Sequence, residues 1–139
     1  MFERCLYFNT QNLARTVNRI WTEEFKQYGL SPAHAYLLRL VLAEPGLLQR
    51  EIGAQLGLSK STVTRFIDSL EERGFLSRKV SNADGRESTI QPTRKARAIH
   101  KQLEASGNKL YQRMVSTLGE ETVKSTVGKQ RKIRGVLGG

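Results

Sequence analysis

Only one cysteine, Cys5, occurs among the 139 residues, so no internal disulfide can staple the chain. Histidine is nearly as scarce. His34 and His100 stand apart, without the paired spacing of a metal site, and neither a metal nor another cofactor is expected. No apolar run reaches the roughly 18 residues that a membrane-spanning helix needs. The opening MFERCLYFNT also lacks the apolar core and cleavage site of a signal peptide, so a cytoplasmic chain without membrane attachment is expected. Missing too are a glycine-rich phosphate loop, a nucleophile with a placed histidine and a paired-carboxylate constellation; an enzyme is not expected. Acids are scarce at one end. Residues 93–139 hold 3 acids against 11 bases, whereas residues 1–48 hold 4 against 5 and residues 49–92 hold 6 against 7, so most of the net +10 lies in the last third.

What is present suits one soluble domain with a modest core, at 38% hydrophobic and 26% charged residues. The densest information lies from Gln49 to Gln91. A first short helix, about Arg50 to Leu56, puts Ile52 and Leu56 on one face and small Gly53 where a crossing helix must come close. Gly57 supplies a sharp turn and Ser59 an N-cap for a second helix. There Val63, Phe66, Ile67 and Leu70 recur at i, i+3, i+4 and i+7 and read as core. The free side begins with hydroxyls and cations, Ser59, Lys60, Ser61, Thr62, Thr64 and Arg65, the types that reach phosphates and base edges when a helix N-terminus enters a major groove. The acids Asp68, Glu71 and Glu72 follow, so the helix leads with its cationic end. Gly74 stops it, Phe75 to Val80 reads as a strand, and a polar turn from Ser81 to Glu87 leads to a second strand, Ser88 to Gln91, which Pro92 ends. Lys79 lies on the first strand, and Asp84-Gly85-Arg86 stand at the tip between the two.

Two segments, LGLSKSTVTRFIDSLEERGFLSR and ADGRESTIQPT, resemble the MarR-type (multiple antibiotic resistance regulator) winged helix-turn-helix transcription factors. Asp84 matches the aspartate of that family's wing, Arg86 its arginine, and Thr93 the residue opening the next long helix. The likeness covers nearly the whole chain, and it is specific in the wing and loose in the flanking helices. It implies a mainly α fold with a small two-stranded β wing, in a homodimer whose wing arginines enter the minor groove beside each recognition helix. On that reading residues 1–30 and 93–139 are dimerisation helices and residues 31–92 the winged helix-turn-helix of a single domain. The function implied is a sequence-specific double-stranded DNA-binding regulator, a repressor released by a small-molecule or oxidant signal, whose dimer reads a pseudo-palindromic operator. A nonspecific architectural DNA-binding protein is the alternative, supported by the basic last third.

The flanking segments read as helices. From about Phe8 to Tyr28, Leu13, Val17, Ile20, Trp21, Phe25 and Tyr28 form an apolar stripe that Gly29 ends. Ser31 and Pro32 start a helix to about Leu42, with Ala33, Tyr36, Leu37, Leu40 and Val41 facing its core. Thr93 caps one long helix bearing Ala96, Ile99, Leu103, Leu110 and Met114, and a turn at Gly119 starts the last, with Val123, Val127, Ile133 and Leu137. Arg94, Lys95 and Arg97 crowd a first turn where the helix dipole disfavours cations; nearby phosphates would reverse that penalty, and a solvated basic face is the other reading. Cys5, early in the chain beside Arg4, reads either as a small packed hydrophobe or as an oxidant sensor, a placement that resembles the sensing cysteine of organic-hydroperoxide regulators in the same family. His34 and Tyr36 read as core residues or as the lining of an effector pocket.

Because the Gln49 to Gln91 motif is nearly neutral, its cations act by placement, while bulk attraction to a polyanion must come from the segments after it. If Arg86 reads the minor groove, Arg86→Ala weakens operator binding by roughly 1 to 3 kcal/mol, measured by titration of labelled duplex. Unchanged affinity would refute the wing assignment.

Overall fold

The computed structural model describes residues 1–80 and 87–138, in two compact units, Met1–Glu104 and Ala105–Gly139. The first unit opens with helix α1 (Leu6–Phe25), capped by Cys5 Sγ, which accepts from Phe8 N at 3.5 Å. A single 3-10 turn, Lys26–Tyr28, carries it to Gly29, whose φ of 68° ends the helix as its missing side chain permits. Along α1 only Phe25 is buried, so Leu13 and Val17 of the expected stripe lie exposed.

Ser31 caps α2 (Pro32–Ala43), with its hydroxyl accepting from His34 N at 3.2 Å and proline at the first position. This helix is touched by α1 and by most of the elements that follow it in the unit. It buries Ala35, Leu37, Leu38, Val41 and Leu42. The expected face was misplaced: Ala33 and Tyr36 are exposed and Leu40 half-buried. A helix apolar around most of its circumference gives periodicity little to choose between.

Next come β1 (Leu47–Leu48), α3 (Gln49–Leu56) and α4 (Lys60–Glu72), followed by β2 (Leu76–Val80) and β3 (Ser88–Pro92). The sheet is antiparallel with order β1-β3-β2, so the described residues form three strands where two were expected. Leu47 pairs with Ile90 and Leu48 with Thr89, a contact too short to leave a sequence pattern. α3 begins without a serine or threonine cap; Glu51 Oε1 instead accepts from Leu48 N at 2.9 Å. Gly57 turns the chain at φ 67°, and Gly53 does what its size suggested. A Cβ there would lie 3.2 Å from both the Leu58 carbonyl oxygen and Val63 Cγ2, closer than ordinary packing allows. α4 buries Val63, Ile67 and Leu70, while Phe66 is half-buried.

Thr93 caps α5 (Arg94–Ala98) through its hydroxyl, which accepts from Ala96 N and donates to Gly74 O. The long helix expected from Thr93 is broken at Ile99, whose N–H turns back to Ala96 O and Arg97 O, and α6 (His100–Leu118) follows. α5 is pinned at its N-terminal end to the turn after α4, since Thr93 N also donates to Phe75 O and Lys95 Nζ to Arg73 O. Such anchoring sets its direction independently of α6. In the second unit Gly119, at φ 89°, separates α6 from α7 (Glu120–Gly138). Glu120 and Glu121 occupy the first turn of α7, where the dipole favours acids, and none of its described residues is buried.

Within the first unit Arg39 grips Glu104 with a fork, Nε to Oε1 at 2.9 Å and Nη2 to Oε2 at 3.1 Å, and lies 4.8 Å over the Tyr36 ring. Those hydrogen bonds hold the Glu104 carboxyl below its usual value against the opposing effect of burial. The unfolded chain binds this proton more tightly than the folded one. The stabilisation is therefore complete above the ordinary glutamate range and fades as pH falls from about 5 towards 3. Glu104→Gln is expected to flatten that acid limb in denaturant titrations at stepped pH. An acid limb identical to wild type would contradict the role given to the pair.

Candidate nucleic-acid interface

The second helix of the hairpin carries the site, because burying Val63, Ile67 and Leu70 turns its opposite side outward. Of the six residues expected at its leading end, Ser59, Lys60, Ser61 and Arg65 are exposed, and with Thr64 they border an open groove on the helix surface. Ser59, Thr62 and Thr64 have their hydroxyls engaged within the protein, and Ser61 Oγ makes a long hydrogen bond, 3.3 Å, with Ser59 Oγ. Ser59 Oγ accepts from Thr62 N at 3.2 Å and donates to Thr62 Oγ1 at 2.9 Å, so it is a cap first. Thr64 Oγ1 donates to Lys60 O at 3.0 Å and accepts from Gln49 Nε2 at 2.6 Å. With both roles of that hydroxyl taken, Thr64 locks α4 to the start of α3.

Arg65 keeps a long bond, Nη2 to Thr62 Oγ1 at 3.4 Å, which leaves most of its guanidinium donors facing solvent. The geometry suits bidentate recognition of a base edge or phosphate. Lys79 lies exposed on β2, pointing to the sheet face opposite Leu76 and Arg78. Asp84 and Arg86 lie outside the described residues, as does the whole segment 81–86.

The basic cluster after β3 divides in the same way. Arg94 and Arg97 are exposed on α5. Lys95 bonds Arg73 O at 2.7 Å and lies 4.5 Å over the Phe75 ring, at the C-terminal end of α4 where the dipole welcomes a cation. The expected first-turn penalty is thus offset for Lys95 by a neighbouring helix, without a phosphate. Arg73 is engaged as well, donating to Gly29 O at 2.7 Å.

Sequence reasoning missed three ion pairs beside this surface. Arg78 bonds both Asp68 Oδ1 and Glu71 Oε1 at 2.5 Å, and Arg50 Nε meets Glu87 Oε1 at 2.8 Å. Opposite charges in both segments were the available signal, but only folding brings partners 7 to 37 positions apart together.

The residues considered for sensing lie elsewhere in the first unit. Cys5 is exposed at the N-cap of α1, not packed as a small hydrophobe. Tyr36 accepts a bond from Trp21 Nε1 at 3.0 Å, and Trp21 borders an open groove with Ala14, Arg15, Val17, Asn18 and Pro32. Neither His34 nor Tyr36 borders that groove. The His34 ring lies 4.4 Å from that of Phe66 on α4, and its Nδ1 is 2.6 Å from Ser31 Oγ. Burial, and then the charge of Arg73, lower its pKa and favour the neutral ring. Among the described residues no cluster of three or more His, Cys, Asp or Glu could hold a metal ion, and no helix is long and apolar enough to cross a membrane.

Three comparisons place this architecture. Residues 28–87 match the family model described as MarR family. The HTH-type transcriptional regulator MhqR of Bacillus subtilis (strain 168) is 27% identical over 109 residues, covering 78% of this chain and 75% of that one. Among solved structures, PcaV from Streptomyces coelicolor, a transcriptional regulator in complex with its natural ligand, has a TM-score of 0.85 at 24% identity, over 97% of this chain and 95% of that one. The S. aureus MepR–DNA complex gives 0.84 at 19% identity, over 97% and 99%. At such identities the structural likeness speaks for the winged-helix fold alone.

Capping and base reading are separable at Ser59. Ser59→Ala is expected to cost about 1 kcal/mol of unfolding free energy, as lost N-caps do, while leaving the preferred DNA sequence unchanged. Denaturant titration and selection of bound duplexes check the two halves; an altered sequence preference would return Ser59 to the reading surface.

Proposed function

We propose that this chain, whose residues 28–87 match the MarR family model, is a cytoplasmic, homodimeric, sequence-specific regulator of that family that binds double-stranded DNA and represses transcription until a small-molecule or oxidant signal releases it. One observation carries the DNA reading. Lys60, Ser61 and Arg65 stand exposed at the N-terminal end of α4, while the hydroxyls of Ser59, Thr62 and Thr64 are already bonded within the fold. A helix so furnished can enter a major groove with its positive dipole end and two cations foremost. Phosphate contacts then supply affinity that falls with salt, and Arg65 and Ser61 supply the base contacts.

Dimerisation is supported by the apolar side chains that the single chain leaves uncovered. Leu6, Tyr7 and Leu13 on α1 and Val136 and Leu137 on α7 are all exposed. Two copies interlocking these helices would bury them and space two recognition helices about one DNA turn, roughly 34 Å, apart. MepR was solved with DNA and PcaV with its natural ligand, and this chain carries their fold. For the release signal, the groove beside Trp21 offers a small molecule an apolar wall and the Arg15 cation, and exposed Cys5 offers an oxidant a thiol. Cys5→Ser separates the two: it abolishes release by peroxide and leaves release by a small molecule intact.

The alternative is an architectural protein that coats DNA, which the 11 bases against 3 acids in residues 93–139 favour. Selection of bound duplexes from a random pool, followed by competition, decides between them. The regulator reading expects an enriched pseudo-palindrome bound at least about a thousandfold more tightly than random duplex, by a particle of twice the chain mass in sedimentation. A specificity ratio near one would favour the architectural protein.

A further inference from the structure

We propose that Arg78 is a positioning residue for DNA recognition, a cation that fixes the wing to the recognition helix and does not itself touch DNA; the proposal rests on the regulator reading above. β2 and β3 pair over their full length, Leu76 with Pro92 through Val80 with Ser88. Alternation along β2 therefore sets Leu76, Arg78 and Val80 on one face, and Ser77 and Lys79 on the other. Leu76 is buried, and the cross-strand partner of Arg78, Ile90, is fully buried. Arg78 thus rises from the core side of the ribbon, and its side chain retains only 24% exposure.

There its fork is divided between two acids one turn apart on α4, Nη2 to Asp68 Oδ1 and Nη1 to Glu71 Oε1. A planar guanidinium held at two points fixes direction as well as distance, which a single ammonium contact cannot do. The same helix bears Lys60, Ser61 and Arg65 at its other end, so β2 is tied to the body that carries the reading residues. A second strut ties the return strand: Arg50, near the start of α3, meets Glu87, the residue before β3, at 2.8 Å.

The charge balance excludes the simpler role. Two carboxylates surround one guanidinium, leaving an excess negative charge that would repel a phosphate. As a stabilising device the clamp is modest, because both acids remain substantially exposed to solvent. As a positioning device it matters more, since recognition groups must be held within about 0.5 Å of their working geometry.

The test uses the full-length chain and the duplex that wild type selects from a random pool, with a random duplex as the nonspecific probe. In Asp68→Asn/Glu71→Gln, removing two negative charges would by charge alone tighten binding to any DNA. The clamp predicts instead that affinity for the selected duplex falls by about tenfold or more, the scale of a lost charge-assisted bond, while affinity for random duplex holds or rises. Arg78→Lys, which keeps the charge and loses the fork, is expected to show the same selective loss. In Arg78→Gln the salt slope on random duplex stays unchanged; a slope reduced by about one would mark a phosphate contact and overturn the proposal. Selected-duplex binding that tightens or stays level in the double variant overturns it too. So does a parallel loss on both duplexes that tracks a lowered melting temperature. If wild type enriches no duplex, the regulator reading falls and takes this proposal with it, whereas enrichment with level binding in the variants defeats this proposal alone.

Discussion

The packing of one face of α4 is the constraint from which the rest of the interface follows. Val63, Ile67 and Leu70 are essentially inaccessible to water, and Gly53 lets α3 approach the Val63 end closely enough to complete that burial. Removing three aliphatic side chains from water supplies several kcal/mol at the usual area coefficient. A helix held along one stripe has no freedom to rotate, so Lys60, Ser61 and Arg65 face outward because there is nowhere else for them to go.

Around that fixed helix, polar bonds are arranged to hold neighbours in register. Gln49 reaches Thr64, Arg73 reaches the Gly29 carbonyl, Lys95 reaches the last turn of α4, and Arg78 joins the ribbon to its acids. Three of these four donors are cations that a charge count would assign to DNA. Their neighbours Lys60, Arg65, Arg94 and Arg97 remain exposed. The distinction between cations engaged within the fold and cations left to solvent is therefore made by carbonyl and carboxylate partners, and total charge does not reveal it.

That explains what the sequence disclosed and what it withheld. Caps at Ser31, Ser59 and Thr93, the turns at Gly57 and Gly74, and the α4 stripe all depend on residues within one or two turns of each other, and each was legible. The strand at Leu47–Leu48 was not, because two residues show no alternation and their partner lies some forty positions on. Nor was the break at Ile99, which follows from α5 being anchored to the turn after α4. On α2, apolar residues on most sides hid the true core face and left Tyr36 expected inside when it is exposed. Ser59 as the cap and Thr64 on the helix were legible from local pattern, but the engagement of the Thr64 hydroxyl by Gln49 required a partner that only the fold supplies.

On the proposed function, the leading end of α4 enters a major groove with a single fixed orientation. A cleavage reagent tethered at position 61, through Ser61→Cys in a Cys5→Ser background, tests it directly on the selected duplex. A fixed entry gives strand scission confined to two major-groove positions about one helical turn apart. Scission spread evenly along the duplex, or focused in the minor groove, would contradict it.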